Sequence, residues 1–349
     1  MDELRLAVVG CGGISGTHLR GLEAADERVR VTALVDIDLA RAEKAATNFE
    51  GAVAATTVAE VMDQADAFLL SIPHDLHHSI GMTCLRAGKH VLMEKPLANT
   101  EAECLELIET AEAAGLTLMV GYILRYNDLV IKMHDLIQDG TIGEVFHVGL
   151  WTEQLTMADT RPWLGDHKRL GGGQLFSHGC HYIDLLLWML GEPEYGSHIG
   201  TNRGTPWMDW EGTSDVSIHF AGGKIGYHMG TWGARGSVLR NSMHAHGTLG
   251  MLELNRTAGE LRLHTGLMPH VPGQAETARE PIKLIATEQP GKNSEGQIRH
   301  FVDCVQTGTT PRSSARDSLQ SLRVIWRLYD AERERRFADL SGLGLIDHP

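Results

Sequence analysis

Two groups of polar residues in this sequence have the types and spacing that proton transfer requires. The first is Glu94-Lys95-Pro96, which follows the apolar run 91–93. Such a run is typical of a strand buried on both faces, and Pro96 cannot donate a hydrogen bond to a neighbouring strand, so pairing ends there. Lys95 is therefore predicted at the carboxyl end of a strand, the edge where open α/β sheets bind ligands. The tripeptide alone leaves a surface lysine as the alternative.

The second group lies in a long apolar stretch that follows a glycine triplet, residues 171–173. Ser177, His181 and Asp184 are four and three residues apart, so in a helix they share one face, and His178 lies three residues before His181. A histidine beside an acid is the usual arrangement for a general base that works near neutral pH. The alternative is a buried histidine that pairs with Asp184 for structural reasons alone.

A glycine-rich turn near the start of the chain predicts a dinucleotide site. Residues 4–9 form an apolar run, Gly10, Gly12 and Gly13 follow, and helical spacing begins near residue 17. This order lets backbone amides and a helix amino terminus approach a pyrophosphate. The motif departs from G-x-G-x-x-G because Ser15 stands at its third glycine.

Asp36 ends the second predicted strand, residues 29–35. An acid there accepts hydrogen bonds from the ribose hydroxyls and repels a 2′-phosphate, which favours NAD over NADP. A turn or cap residue is the alternative for Asp36. The residues predicted to bind the cofactor are Gly10, Gly12, Gly13, Ile14, Asp36, Ser71, Pro73, His77, Glu94 and Lys95.

Two histidine clusters could suggest a metal, and neither is predicted to hold one. His74, His77 and His78 begin a helix beside the nucleotide site, and no second ligand cluster with metal spacing accompanies them. In the later stretch, Cys180 points away from the face that carries His181. We predict no metal, and we place His77 at the nicotinamide end of the cofactor.

The order of the elements indicates an α/β protein with two domains. Up to residue 122, strands alternate with helices, which predicts an amino-terminal Rossmann domain with a doubly wound parallel sheet. Beyond it, the runs 216–220, 224–231, 242–245 and 250–255 alternate polar and apolar residues, as in a mainly antiparallel sheet with one open face. Residues 123–349 are therefore predicted to form an α/β domain for substrate binding and oligomerisation, with a long loop over 266–293.

Composition excludes several classes of function. A formal net charge of −14 and the lack of any Lys/Arg cluster argue against broad contact with nucleic acid. The five cysteines have neither disulfide-framework nor zinc spacing, and no apolar run approaches membrane length. With no basic leader segment, the protein is expected in the cytoplasm, away from membranes.

Together, the glycine turn 10–16, Glu94-Lys95-Pro96 and the glycine triplet that leads to His181 and Asp184 resemble the Gfo/Idh/MocA family of oxidoreductases. The resemblance implies a Rossmann domain, an open-faced antiparallel sheet, a nicotinamide cofactor and substrates that are sugars, cyclitols or their derivatives. It also implies that Lys95 and His181 flank the carbon that exchanges hydride. Further residues that the resemblance places near the substrate cleft are Arg125, Asn127, Trp163, Asp166 and His167.

One departure from the family pattern concerns the proton relay. Many relatives carry an aspartate four residues before the histidine, where this chain has Ser177. Serine can bind a hydroxyl but holds no negative charge. Either His178 or Asp184 takes the place of the acid, or Lys95 and His181 suffice without it.

The expected reaction is a hydride transfer. A secondary alcohol of the substrate gives hydride to NAD while His181 removes the hydroxyl proton and Lys95 stabilises the developing oxyanion. One alternative is a redox-neutral reaction, such as glycoside cleavage or elimination, in which tightly bound NAD oxidises the sugar transiently. A more remote alternative is a non-catalytic nucleotide or sugar sensor. An open sheet face usually finds a partner, so a homodimer or homotetramer is expected.

Overall fold

The computed structural model describes residues 3–25, 27–157, 162–265, 283–288, 292 and 294–347. Within these ranges the α-helices are α1 Ser15–Ala24, α2 Leu39–Ala46, α3 His77–Arg86, α4 Glu101–Ala113, α5 Asp128–Gln138, α6 His167–Leu170, α7 Cys180–Leu190, α8 Glu295–Thr307 and α9 Ala315–Arg333. Short 3-10 helices span Val58–Gln64, His74–Leu76, Ile123–Tyr126 and Pro162–Leu164, and a π-helical turn spans Leu175–Gly179.

The strands form two sheets. Those of the first are β1 Leu4–Val9, β2 Val29–Val35, β3 Val53–Ala55, β4 Ala67–Leu70, β5 His90–Met93 and β6 Leu118–Val120. Those of the second are β7 Val145–Glu153, β8 Pro193–Thr201, β9 Thr213–Phe220, β10 Lys224–Thr231, β11 Asn241–Gly247, β12 Met251–Asn255, β13 Glu260–His264, β14 Lys283–Thr287 and β15 Ala338–Asp339.

The first sheet has the strand order β3-β2-β1-β4-β5-β6, and every pairing in it is parallel. The order reverses direction between β1 and β4, which in doubly wound sheets marks the crevice where a dinucleotide binds. The predicted Rossmann fold is confirmed. Its central strand β4 is apolar along its whole length, and β1 is apolar except for Arg5, because helices cover both faces.

The second sheet has the order β14-β13-β12-β11-β7-β10-β9-β8-β15. All its pairings are antiparallel except that of β7 with β10, so the mainly antiparallel sheet is also confirmed. One face packs under helices α5, α7 and α9. We call the other face the open face; among its side chains are Trp151, Tyr195, Ile199, Ile225 and Tyr227.

Several local features differ from the prediction. Part of the loop expected over 266–293 is strand β14, which pairs with β13, while 266–282, 289–291 and 293 lie outside the described residues. Strand β8 was missed because it begins at Pro193 and contains Gly196 and Gly200, residues that usually end or weaken strands.

Helix α8 follows the second sheet in the chain but packs on the first. Its residues Ile298, Phe301 and Val302 lie in one apolar cluster with Leu19 and Leu22 of α1. The carboxyl-terminal part of the chain therefore contributes to the core around the dinucleotide turn. The division of the chain after residue 122 stays a prediction.

Among the described residues, no helix combines the length and the apolar character that a membrane crossing needs. The longest helix, α9, carries charged residues along its length.

Candidate active site

Lys95 lies where the two halves of the molecule meet. Strand β5 ends at Met93, and the Lys95 side chain reaches across to the segment that precedes α7, where Nζ donates a 2.7 Å hydrogen bond to the main-chain oxygen of Ser177. The two groups of residues that the sequence marked for proton chemistry are therefore adjacent, although 82 positions separate Lys95 from Ser177.

The carboxylate of Glu94 fixes the backbone that carries Lys95. Its Oε2 accepts from the Lys95 amide at 3.2 Å, and its Oε1 accepts from His18 Nε2 of α1 at 2.6 Å. Burial raises the pKa of Glu94, but the hydrogen bond and charge of His18, together with the charges of Lys95 and Lys292, outweigh it and bring the pKa to about 2. Glu94 thus stays ionised, and it links the Lys95 loop to the helix that begins at the glycine turn.

His77 has a different place from the one predicted. Its side chain is fully buried, and its ring nitrogens contact the carbonyl oxygens of Pro96 at 2.7 Å and Ile72 at 3.0 Å. The sequence predicts His77 at the nicotinamide end of the cofactor. Because both nitrogens are engaged by backbone, His77 instead ties the loop after β5 to the loop after β4.

The segment that carries His181 is not a continuous α-helix. A π-helical turn, Leu175–Gly179, precedes α7, so the backbone turns more slowly over Ser177 and His178 than α-helical spacing assumes. Such turns inside helices are frequent at functional sites because they re-aim side chains. His181 and Asp184 both lie in α7, three residues apart, whereas Ser177 lies in the π-helical turn, so the α-helical spacing assumed for all three residues applies only to His181 and Asp184.

His181 is a buried neutral imidazole beside Lys95. Its side chain is only 4% exposed, and its Nδ1 is buried without a hydrogen-bond partner among the described residues. Burial, then the charges of Lys95 and His178, hold the pKa of His181 well below its usual value. The ring packs edge-on against Tyr122 with 5.7 Å between centroids. A neutral imidazole is the form that can accept a proton.

The expected pairing of His181 with Asp184 is wrong. Asp184 accepts two hydrogen bonds from Arg125, at 2.7 and 2.8 Å, and a third from Ser321. Arg125 also reaches Asp317 at 3.3 Å, and both Arg125 and Asp184 are completely buried. Neither residue is available to substrate. Together they form an ion pair that joins α7 to α9 and to the 3-10 turn before α5.

Asn127, also predicted near the substrate, has a structural role. Its side chain accepts from the Val130 amide and caps α5, while its amide group donates to Glu288. The residue is only 3% exposed. A polar residue directly before an amphipathic helix is commonly its cap, and Asn127 has this role.

Trp163, Asp166 and His167 lie on a segment that packs against the ligand edge of the first sheet. The ring of Trp163 meets His74 edge-on at 4.9 Å. Asp166 caps α6, and His167 Nδ1 contacts the Asp209 carboxylate at 3.2 Å. A contact of any of the three with substrate stays a prediction.

The glycine turn between β1 and α1 has the shape of a pyrophosphate cradle. Gly10 has a positive φ of 89°, and a Cβ there would lie 2.3 Å from the Ser71 carbonyl oxygen. Gly12 and Gly13 are exposed, with nothing within 4 Å of the position a Cβ would take. Ile14, at the start of α1, supplies no side-chain cap, so the first amides of the helix face an open site.

Asp36 closes this cradle from the end of β2. Its Oδ2 accepts from the Cys11 amide at 2.8 Å, and its Oδ1 accepts from the Asp38 amide at 2.9 Å. Ser71 donates to the Gly10 carbonyl at 2.8 Å from the next strand. An open glycine turn, an uncapped helix amino terminus and an acid at the end of β2 are the groups that fit a dinucleotide.

Two family models match this chain. One, described as an oxidoreductase family with an NAD-binding Rossmann fold, matches residues 4–122. The other, described as the GFO/IDH/MocA C-terminal domain, matches residues 130–253. Each match contains one of the two groups that meet at Lys95 and His181.

Named relatives agree with the family models. Inositol 2-dehydrogenase 2 of Saccharopolyspora erythraea is 32% identical over 192 residues, 54% of this chain and 54% of its own length. The chain thus matches about half the length of such curated relatives. GenD2 from gentamicin A biosynthesis, solved in complex with NAD, is 25% identical with a TM-score of 0.80 and 97% of both chains covered. Levoglucosan dehydrogenase with NADH, 20% identical, shares the fold with a TM-score of 0.85 over 97% of this chain and 99% of its own.

Proposed function

The chain belongs to the Gfo/Idh/MocA family of oxidoreductases, as its motifs indicated, and we propose that it transfers hydride between NAD and a secondary alcohol or ketone. The observation that carries this proposal is the 2.7 Å hydrogen bond from Lys95 Nζ to the Ser177 carbonyl oxygen. It brings the lysine at the ligand edge of the NAD-binding domain beside the segment that bears His181. A cation and a neutral imidazole are the pair that alcohol oxidation needs.

Each residue has one role in the proposed reaction. Bound NAD, held by the glycine turn and Asp36, supplies the hydride acceptor. His181 accepts the proton of the substrate hydroxyl, which its neutral form allows. Lys95 donates a hydrogen bond to the same oxygen and stabilises the charge that develops there. Ser177 carries no charge, and Asp184 is occupied by Arg125. Burial holds the pKa of His178 well below its usual value, so His178 is also neutral. The pair therefore acts without a third acid in the proposed reaction.

For the substrate we propose a sugar, a cyclitol or a derivative of one. The relative named inositol 2-dehydrogenase 2 supports this class, as does the family itself. The test is a panel of sugars, cyclitols and glycosides incubated with NAD, with nicotinamide reduction followed by absorbance and substrate loss by mass spectrometry. Reduction with one class supports a net dehydrogenase. Substrate consumed at constant absorbance contradicts it and favours the redox-neutral alternative, and no reaction of any kind favours the sensor.

The pH dependence of the reaction provides a test of His181. Because the pKa of His181 lies well below 6.5, the imidazole stays neutral as pH falls through 6.5 and becomes protonated only at lower pH. Alcohol oxidation is therefore expected to persist below pH 6.5, and kcat/KM, which reports the free enzyme, should fall only under more acidic conditions. An acid limb centred at or above the ordinary histidine pKa would contradict this role.

We also propose that the open face is covered by a second copy of the chain, in a homodimer or homotetramer. Tyr195 is 46% exposed, Ile199 72% and Ile225 45%, and all three lie on this face. An apolar sheet face of this kind usually marks an interface. Light scattering is expected to give a multiple of the chain mass, and Ile199→Asp should shift it toward the monomer. A parent protein that is monomeric at micromolar concentration would remove the proposal.

A further inference from the structure

The segment that bears His181 begins with a cap supplied by two residues far away in the chain. The amides of Gly173 and Phe176 both donate to the hydroxyl oxygen of Tyr329, at 3.2 Å each. The Gln174 amide donates to the main-chain oxygen of Glu211 at 2.8 Å, and the Leu175 amide donates to its Oε1 at 3.1 Å. The first amides of a helix have no partners within the helix, and here four consecutive ones are satisfied from outside.

Glu211 and Tyr329 are also bonded to each other. Tyr329 lies on α9, Glu211 lies just before β9, and the Tyr329 hydroxyl donates to Glu211 Oε1 at 2.7 Å. Both side chains are buried. A Cβ on Gly173 would lie 2.1 Å from Glu211 Oε2, which is too close for any side chain. Only glycine therefore allows the backbone to approach the carboxyl group this closely. The cap is a packed, specific contact.

A short path leads from this cap to the proposed catalytic pair. The Ser177 amide donates to the Gly173 carbonyl oxygen at 3.0 Å, which is the first hydrogen bond within the segment. The carbonyl oxygen of Ser177 then accepts from Lys95 Nζ. The cap therefore sets the position at which the segment meets Lys95, and His181 follows one turn later.

We propose that Glu211 is a positioning residue for the reaction, and that with Tyr329 it fixes the Ser177–His181 segment against Lys95. The residue touches neither Lys95 nor His181. It acts through the backbone of residues 173–177. This inference rests on the proposed function for its kinetic consequence, whereas the cap itself is a property of the fold.

The surroundings of Glu211 make its ionisation relevant near neutral pH. Burial raises the pKa of Glu211 to about 7, although the hydrogen bonds from Tyr329 and the Leu175 amide oppose the rise. Three other charged groups line a cavity of about 480 Å³ together with Glu211: Glu332 and Arg333 of α9, and Asp209 of the loop that carries Glu211. His198 of β8 is also close, because its ring packs against Tyr329. Because the pKa of Glu211 is raised where it caps the segment, Glu211 binds a proton more tightly when the cap is formed than when its hydrogen bonds are broken. The cap is therefore expected to loosen as pH rises through 7.

The kinetic test compares the parent with Glu211→Gln, which keeps an acceptor oxygen but cannot ionise. The ratio of kcat in the variant to kcat in the parent is expected to rise about threefold between about pH 6 and about pH 8, because only the parent loses the protonated cap. Taking this ratio removes every titration common to both proteins, including that of His181. Tyr329→Phe, which leaves two amides without a partner, should lower kcat across the whole range. A ratio that is constant with pH would overturn the positioning role.

Hydrogen exchange gives a readout that does not need a substrate. After correction for intrinsic rates, the amides of residues 173–178 in the parent are expected to exchange faster at about pH 8 than at about pH 6, and in Glu211→Gln to be equally protected at both. Glu334→Gln, an exposed glutamate at the end of the same helix α9, should behave like the parent. Equal protection in the parent at both pH values would overturn the inference. If the parent protein oxidised no alcohol, the proposed function would be wrong. Hydrogen exchange would still show whether Glu211 stabilises residues 173–178.

Discussion

Replacing Lys95 with alanine is expected to lower turnover at least ~100-fold while NAD binding is retained, on the scale of one acid/base or oxyanion-stabilising group. Lys95 Nζ bonds directly to the Ser177 carbonyl oxygen in the segment before His181. The Cys180 thiol also contacts this oxygen, at 3.6 Å, but it carries no positive charge that could stabilise an oxyanion. The glycine turn and Asp36, which are expected to hold the cofactor, lie on other strands. Steady-state kinetics with the substrate found in the panel, together with NAD titration by fluorescence, provides the measurement.

The matched control for this variant is Lys89→Ala. Lys89 precedes the same strand, β5, but lies at its amino end, where its Nζ donates to the Ala65 carbonyl oxygen at 2.8 Å. Removing it changes charge and chain length as the Lys95 variant does, yet should leave turnover close to that of the parent. If Lys95→Ala and Lys89→Ala had similar activity, Lys95 would not be catalytic.

Replacing Arg125 with methionine is expected to lower the free energy of unfolding by about 3–5 kcal/mol, since removing one partner leaves buried charge without compensation. Arg125 is completely buried and bonds to both Asp184 and Asp317. Methionine preserves much of the side-chain volume, so the loss reports chiefly on the ion pair. Urea unfolding followed by circular dichroism measures it.

Arg316→Met serves as the comparison. Arg316 makes two short hydrogen bonds to Glu112, but the pair lies on the surface, where it should contribute at most about 1 kcal/mol. Arg125→Met should therefore be the more destabilising of the two by a wide margin. If both variants lowered the free energy of unfolding by the same amount, the Arg125 network would contribute little to the stability of the fold.

The first sheet could be predicted from the sequence because its strands are local patterns. Residues 4–9 and 67–70 are nearly all apolar. Gly10 directly follows the first run and Pro73 lies three residues after the second, so both identity and approximate boundary are visible in a short window. The antiparallel sheet followed from alternation in the same way. Strand β8, which contains glycine and begins with proline, was missed, and so were the short strands β13, β14 and β15.

The partners of the site residues could not be predicted, because they depend on distant parts of the chain. Asp184 pairs with Arg125, 59 positions away, instead of His181, three positions away. The contact of His18 with Glu94 spans 76 positions, and that of Tyr329 with Glu211 spans 118. A single histidine in a helix or a single glutamate in a loop carries no local signal of such a pairing.

The π-helical turn was hidden for a related reason. From spacing alone, Ser177, His181 and Asp184 fit one face of an α-helix, and nothing in residues 175–179 marks a different backbone. The turn follows directly on the cap from Glu211 and Tyr329, which is a tertiary contact. Helical periodicity therefore placed His181 and Asp184 on one α-helix and missed the π-helical turn at Ser177.

The measurement that most directly tests the proposed function is deuterium transfer from substrate to nicotinamide. The substrate found in the panel is labelled at the carbon that bears the reacting hydroxyl, and both products are analysed by mass spectrometry after a single turnover. We expect one deuterium in the reduced nicotinamide and a ketone in the product, with both formed at least ~100-fold more slowly in Lys95→Ala. Product that has kept its deuterium, or product formed without reduced nicotinamide, would contradict a net hydride transfer by this protein.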